Sequence, residues 1–280
     1  MRESEKEAKN LRNIALLIAY EGVFSGWQRQ ENAPSIQEHI ERALFELTGE
    51  EVSLIASGRT DAGVQALGQV ACFRSGTAIP HERLPLAINS KLPREVAVLA
   101  AYEMPPDFHP RYDAVKKTYL YRICNAPVPS PQERRSACHE RVPLDVERMR
   151  EAAQHLIGEH DFTSFCSSRA EAENKRRRIY ALRIEEEVLR GSSSLEEIAL
   201  AGKKRFAGKR ITIEVTGSGF LYNMVRIIAG TLIEIGKGKD YDVKEILEAK
   251  DRARAGPTAK AEGLCLKSVT YAKKEEGSGR

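Results

Sequence analysis

The sequence predicts an α+β protein made of two similar split βαβ halves of the ferredoxin or RRM type, with antiparallel sheets side by side and a central basic cleft. Three observations carry this expectation. Up to residue 102, strand-like apolar runs and helical stripes follow the order β-α-β-β-α-β. Beyond a proline-bearing connector, Met104-Pro105-Pro106-Asp107-Phe108-His109-Pro110, that order partly returns. The 280 residues, 41% hydrophobic and 30% charged, suffice for one large or two ordinary soluble domains. The expected division is a mobile arm over 1–10, domains over 11–106 and 107–272, and a mobile tail over 273–280. The repeat is one of architecture, with no residue-level counterpart.

Residues 11–20 read as a buried strand. The glycine-broken loop over 21–30 holds the only tryptophan, Trp27, expected to pack the loop onto the core. Arg29 stays open between surface charge and RNA contact. Ser35-Ile36-Gln37-Glu38 is a capping box, and Ile36, Ile40, Ala43, Leu44 and Leu47 follow at helical spacing. Strands over 52–55 and 69–73 flank a tight segment, and a short helix over 84–91 precedes a strand over 96–102. In the second half, 117–123 reads as a strand and 145–157 as a helix with Val146, Met149, Ala153 and Leu156 on one face. Strands over 179–188 and 211–215 pair around a polar loop over 190–210. A strongly apolar helix over 220–235, a short helix over 243–250 and a last strand over 264–271 complete the chain.

The segment between the strands over 52–55 and 69–73 is Gly58-Arg59-Thr60-Asp61-Ala62-Gly63. Glycines at both ends admit backbone conformations that other residues resist. Asp61 is a carboxylate able to act as nucleophile or base, with the cation of Arg59 two residues away. The competing reading is an ordinary turn with a surface ion pair. Tyr119 and Tyr121 alternate on one strand face with Lys117, either lining a surface on which an unpaired base stacks or packing half-buried in a sheet. Gly217-Ser218-Gly219-Phe220-Leu221-Tyr222 imitates a dinucleotide-binding turn, but Tyr222 stands at the third glycine position. The acids some twenty residues later, Asp240 and Asp242, lie in a polar segment and not at a strand end. Arg226 sits among Val225, Ile227 and Ile228, which calls for an acidic partner unless the side chain reaches the surface. Leu264 fits a pocket wall and a core strand equally. The basic runs Lys175-Arg176-Arg177-Arg178, Lys203-Lys204-Arg205 and Lys209-Arg210 are candidates for phosphate contacts or solvated loop charge.

The net charge of +4 is too small to prove a nucleic-acid partner by itself. Five scattered cysteines without a C-x-x-C pair suit free buried thiols in a reducing cytoplasm, and the six histidines complete no zinc spacing. The N-terminus lacks an apolar signal core, and the longest apolar run, over 14–20, is far too short to cross a bilayer.

Five motifs, in order from about residue 11 to 271, resemble the tRNA pseudouridine synthase A family. They are GWQRQ over 26–30, GRTDAGVQALGQV over 58–70, Phe108-His109-Pro110-Arg111 through Lys117-x-Tyr119-x-Tyr121, GSGFLYNMVR over 217–226, and AEGLCL over 261–266. Gln65 stands where the family usually has His, and the region over 166–210 departs most. The resemblance implies an isomerase that converts uridine to pseudouridine at positions 38, 39 and 40 in the anticodon stem-loop of transfer RNA, with the target nucleotide flipped out. It implies Asp61 as the catalytic residue, Tyr119 against the uracil, Arg226 paired with Asp61, Leu264 as an apolar wall, and Arg59 placing a phosphate or the flipped nucleotide. It implies no cofactor, no metal and no membrane partner, a cytoplasmic location and a homodimer. Two other classes stay in view: a non-catalytic RNA-binding module, which lacks the aromatic RNP1 pattern, and a dinucleotide-dependent oxidoreductase.

Overall fold

The computed structural model describes residues 11–170, 172–189 and 208–272. The expected arm, the tail and most of the expected 190–210 loop, including Lys203, Lys204 and Arg205, lie outside the described residues. The protein is a mixed α+β structure with two compact units, Met1–Thr118 with Cys265–Arg280, and Tyr119–Leu264.

In the first unit, β1 (Arg12–Tyr20) lies between β4 (Val96–Met104) and β3 (Gln65–Ser75), antiparallel to both. The alternation of branched and small apolar residues in RNIALLIAY suits a strand covered on both faces, and Ile14, Leu16 and Ile18 are fully buried. A two-residue β2 (Ile55–Ala56) pairs with the far half of β3, Ile55 opposite Cys72. Parallel to the near half of β3 runs β10 (Leu264–Tyr271), Cys265 opposite Gln65 and Leu266 opposite Ala66. Two helices, α1 (Ile36–Thr48) and α2 (Leu84–Asn89), complete the unit. Ser35 caps α1 by accepting from Glu38 N at 3.2 Å, and Gly49 ends it in the left-handed conformation.

In the second unit the strand order is β5-β9-β8-β7. These strands are Ala114–Asn125, Lys209–Gly217, Arg176–Val188 and Gly158–Asp161, and β6 (Cys138–Glu140) runs parallel to β5. The expected pairing of the 179–188 and 211–215 runs is present, with Ile184 opposite Ile213. Helices α3 (Val146–Gln154), α4 (Met224–Gly236) and α5 (Val243–Ala249) complete the unit. In α4 every residue but Arg226 is buried, as expected of a helix apolar nearly all round.

Four local expectations are corrected. The strand over 52–55 shrinks to Ile55–Ala56, because α1 side chains take the backbone of Leu54: Glu41 Oε1 accepts from its N–H at 2.9 Å and Gln37 Nε2 donates to its carbonyl at 3.3 Å. The helix over 220–235 starts only at Met224, because Asn223 adopts φ 61° and turns the chain. Lys209 and Arg210 begin β9 and do not end a loop. The short strands β6 and β7 were not expected; GEHD in β7 has no apolar alternation to announce it. All five cysteines are buried and none forms a disulfide, as the sequence suggested.

Candidate active site

The segment 58–63 lies between β2 and β3, and Gly58 and Thr60 are tied down from behind. Gln69, fully buried in β3, is the centre of the network. Its Nε2 donates to the Gly58 carbonyl at 2.8 Å and to Tyr20 Oη at 3.4 Å, and its Oε1 accepts from Ser57 Oγ at 2.6 Å. Tyr20 Oη shares a hydrogen bond of 2.8 Å with Thr60 Oγ1. Burial pushes the Tyr20 phenol up to about 12, so it stays a neutral hydrogen-bond partner at any working pH. Thr60 therefore points inward, Arg59 is exposed and Asp61 is half-buried. The turn closes with Val64 N donating to the Asp61 carbonyl at 3.1 Å, and Gly63 has φ 83°.

The loop that holds Trp27 braces this segment. Trp27 is buried, as expected, and its N–H donates to the Thr60 carbonyl at 3.0 Å. Gly26 permits the approach: it has φ 94°, and a Cβ there would stand 2.6 Å from the Thr60 carbonyl oxygen. Arg29 is exposed, with Glu41 3.9 Å away. From β5, the Lys117 ammonium donates to the Ser57 carbonyl at 2.5 Å. The sequence reading passed over Tyr20, Gln69 and the support role of Lys117. One signal was present: Gln69 is an amide set within the otherwise non-polar stretch over 66–73 of β3, and buried amides are kept for their hydrogen bonds.

In the second unit, Tyr119 and Tyr121 divide the two readings given to them. Tyr121 has no exposed surface, and its hydroxyl donates to the Lys260 carbonyl at 2.9 Å. Gly263 lies flat against the Tyr121 ring, so this tyrosine packs the sheet. Tyr119 is half-buried, edge-on to Phe220 with ring centroids 5.2 Å apart, which fixes its ring plane. Arg226, in the first turn of α4, donates from Nε to the Ala259 carbonyl at 2.8 Å and from Nη1 to Asn223 Oδ1 at 3.1 Å. Two of its donors thus orient the guanidinium plane. Leu264 is buried at the start of β10, after a single 3₁₀ turn.

Among the described residues of the basic runs, Arg176, Arg177, Lys209 and Arg210 are committed to acids or carbonyls. Arg176 contacts Glu159 at 3.2 Å, Lys209 contacts Glu186 at 2.7 Å, and Arg210 is paired with Glu133 and, at 2.9 Å, with Glu187. Arg177 Nη1 donates to the Asn174 carbonyl at 3.0 Å. Arg178 lies over the exposed Tyr180 ring at 5.9 Å.

A family profile described as tRNA pseudouridine synthase matches residues 19–113 and 152–272. The chain belongs to the tRNA pseudouridine synthase family. It is 44% identical over 264 residues to the tRNA pseudouridine synthase A of Geotalea uraniireducens, 43% to that of Caldicellulosiruptor bescii and 42% to that of Brevibacillus brevis. Each alignment covers 93% of this chain and the whole of the relative. The protein is accordingly an isomerase acting on transfer RNA uridine. Members of such a family rearrange one nucleoside without oxidation or reduction: the N1–C1′ bond breaks, C5–C1′ forms, C5 gives up a proton and N1 gains one. The matched residues include the whole 58–63 segment, Tyr20, Gln69, Arg226 and Leu264, and leave out 114–151, where Lys117 and Tyr119 lie. No helix among the described residues is long and apolar enough to cross a membrane.

Proposed function

We propose that this pseudouridine synthase acts at positions 38, 39 and 40 of the anticodon stem-loop, with Asp61 as the catalytic carboxylate on a flipped-out uridine. The observation that carries the reading is the build of the 58–63 segment. Thr60 is anchored inward, so the adjacent Asp61 is set at the surface by a buried scaffold and not by solvent. Such preorganisation is what a group attacking a sugar or base requires. The family resemblance adds the other roles. Arg226 is the counter-ion of Asp61, and its anchoring by Asn223 and Ala259 supports a fixed guanidinium. Tyr119 faces the uracil, Leu264 walls the pocket, and exposed Arg59 meets a phosphate or the displaced nucleotide. The same resemblance supports two split βαβ halves, over 11–106 and 107–272, with a basic cleft for the RNA, in a cytoplasmic homodimer.

The test is Asp61→Asn. This variant retains transfer RNA binding and leaves uridine unconverted, read by nucleoside mass spectrometry with position-by-position mapping on unmodified transfer RNA. Normal pseudouridine formation by the variant refutes the assignment of Asp61, and conversion outside positions 38 to 40 refutes the assigned target.

A further inference from the structure

Lys117 occupies a costly place for a lysine. It is half-buried on β5, and its ammonium donates to a neutral acceptor, the Ser57 carbonyl, at 2.5 Å. Lysines leave water reluctantly unless a carboxylate meets them. Here the charge that acts on Lys117 is that of Arg111, a like charge. Burial first, and Arg111 second, pull the ammonium down to about 8. The fold therefore holds a cation where its surroundings disfavour the charge, a pattern common at functional sites.

The place it holds is the root of the 58–63 segment. At Ser57, the N–H donates to the Val70 carbonyl at 2.8 Å and Oγ donates to Gln69. The carbonyl of Ser57 is taken by Lys117. The same nitrogen lies 3.3 Å from the point where a Cβ on Gly58 would stand, so a glycine at 58 lets the ammonium come close. Other ties to this segment come from β1, the Trp27 loop and β3. Lys117 adds one from β5, across a separation of sixty residues in the chain.

We infer that Lys117 is a positioning residue for the isomerisation: by pinning the Ser57 carbonyl it fixes where β2 turns into the segment, and so where the Asp61 carboxylate stands. The inference rests on Asp61 being the acting group. Lys117 forms and breaks no bond of the substrate; it acts through the backbone between 57 and 61.

Full-length Lys117→Met, Lys117→Gln, Lys117→Arg and Asp61→Asn are assayed side by side on unmodified transfer RNA, for kcat, KM and melting temperature. In Lys117→Met, kcat falls about tenfold or more while KM stays within about threefold, because a misplaced catalytic group weakens the chemical step and not the docking. The melting temperature holds or rises, since a desolvated cation has been removed. Lys117→Arg, which keeps a donor, recovers kcat to within about threefold of the parent. A kcat in Lys117→Met within about twofold of the parent overturns the inference, and so does a loss confined to KM, which marks a phosphate contact. A drop in melting temperature that the Arg variant does not relieve, or failure of both the Met and Gln variants to fold, makes Lys117 a stability residue and also overturns it. Asp61→Asn separates the two levels: full activity there sinks the underlying reading, whereas an inactive Asp61→Asn beside an unaffected Lys117→Met sinks this inference alone.

Discussion

The 58–63 segment and the 217–226 segment are both glycine-bearing and each carries a charged residue of the candidate site, Asp61 or Arg226, and opposite means hold them. Behind Asp61 stands a buried polar network of Gln69, Tyr20, Ser57 and Thr60, with the Lys117 ammonium at its root. Behind Arg226 stands apolar packing: α4 is buried on all sides except at Arg226, and its Gly230 lies directly on the carbonyl of Pro257. Hydrogen bonds have direction, so the first arrangement fixes a backbone in register but leaves several polar groups dependent on one amide. Apolar burial has little direction and much stability, so the second fixes a helix and leaves the aim of Arg226 to Asn223 and Ala259. Stability and aim are thus merged in the first region and separated in the second.

Three substitutions break or sharpen this contrast. The largest effect is expected from Gly230→Ala. A Cβ there would stand 1.8 Å from the Pro257 carbonyl oxygen, a backbone atom that cannot rotate away. The helix must lift from the 257–259 segment, at a cost of about 3 kcal/mol. That corresponds to a fall of roughly 5–10 °C in melting temperature by calorimetry. Next comes Gln69→Leu, which leaves the Gly58 carbonyl and Ser57 Oγ without their partner in a dry site. The expected loss is about 2 kcal/mol in denaturant unfolding. Activity measured well below the melting point falls by about a hundredfold, because the segment itself shifts. The smallest stability effect belongs to Asn223→Gly. Asn223 sits at φ 61° and makes no side-chain cap to its helix, so stability moves by less than about 0.5 kcal/mol. Its Oδ1 is nevertheless an acceptor of Arg226, and kcat is expected to fall about tenfold at unchanged stability. If Asn223→Gly and Gln69→Leu lose activity and stability in the same ratio, the contrast between the two regions is wrong.

Much of this was legible in the chain. The helical stripe from Ile36 to Leu44 and its Ser35 cap, the apolar run of β1, and the last strand at Leu264–Tyr271 all announce themselves, because each buries one face or both at a regular period. The glycine-flanked segment around Asp61 was legible as a tight turn between strands. What stands behind it was not: Tyr20, Gln69 and Lys117 are distant in sequence, and their meeting at Ser57–Thr60 is a product of strand pairing. Strand limits were missed where side chains compete for the backbone, as Gln37 and Glu41 do at Leu54. Alternation alone put Tyr119 and Tyr121 on one face and did not separate them; a carbonyl at Lys260, far along the chain, commits Tyr121 to the core.

The parallel contact between β10 and β3 has a consequence for synthesis. The N-terminal unit takes its final strand from the far end of the chain: Gly68 lies against the carbonyl of Lys267, and Tyr271 is held by Phe108 and the Pro110 carbonyl. A ribosome makes β3 early and β10 late, so a nascent chain carries an uncovered strand edge through most of its elongation. The first unit to be translated is the last to be closed.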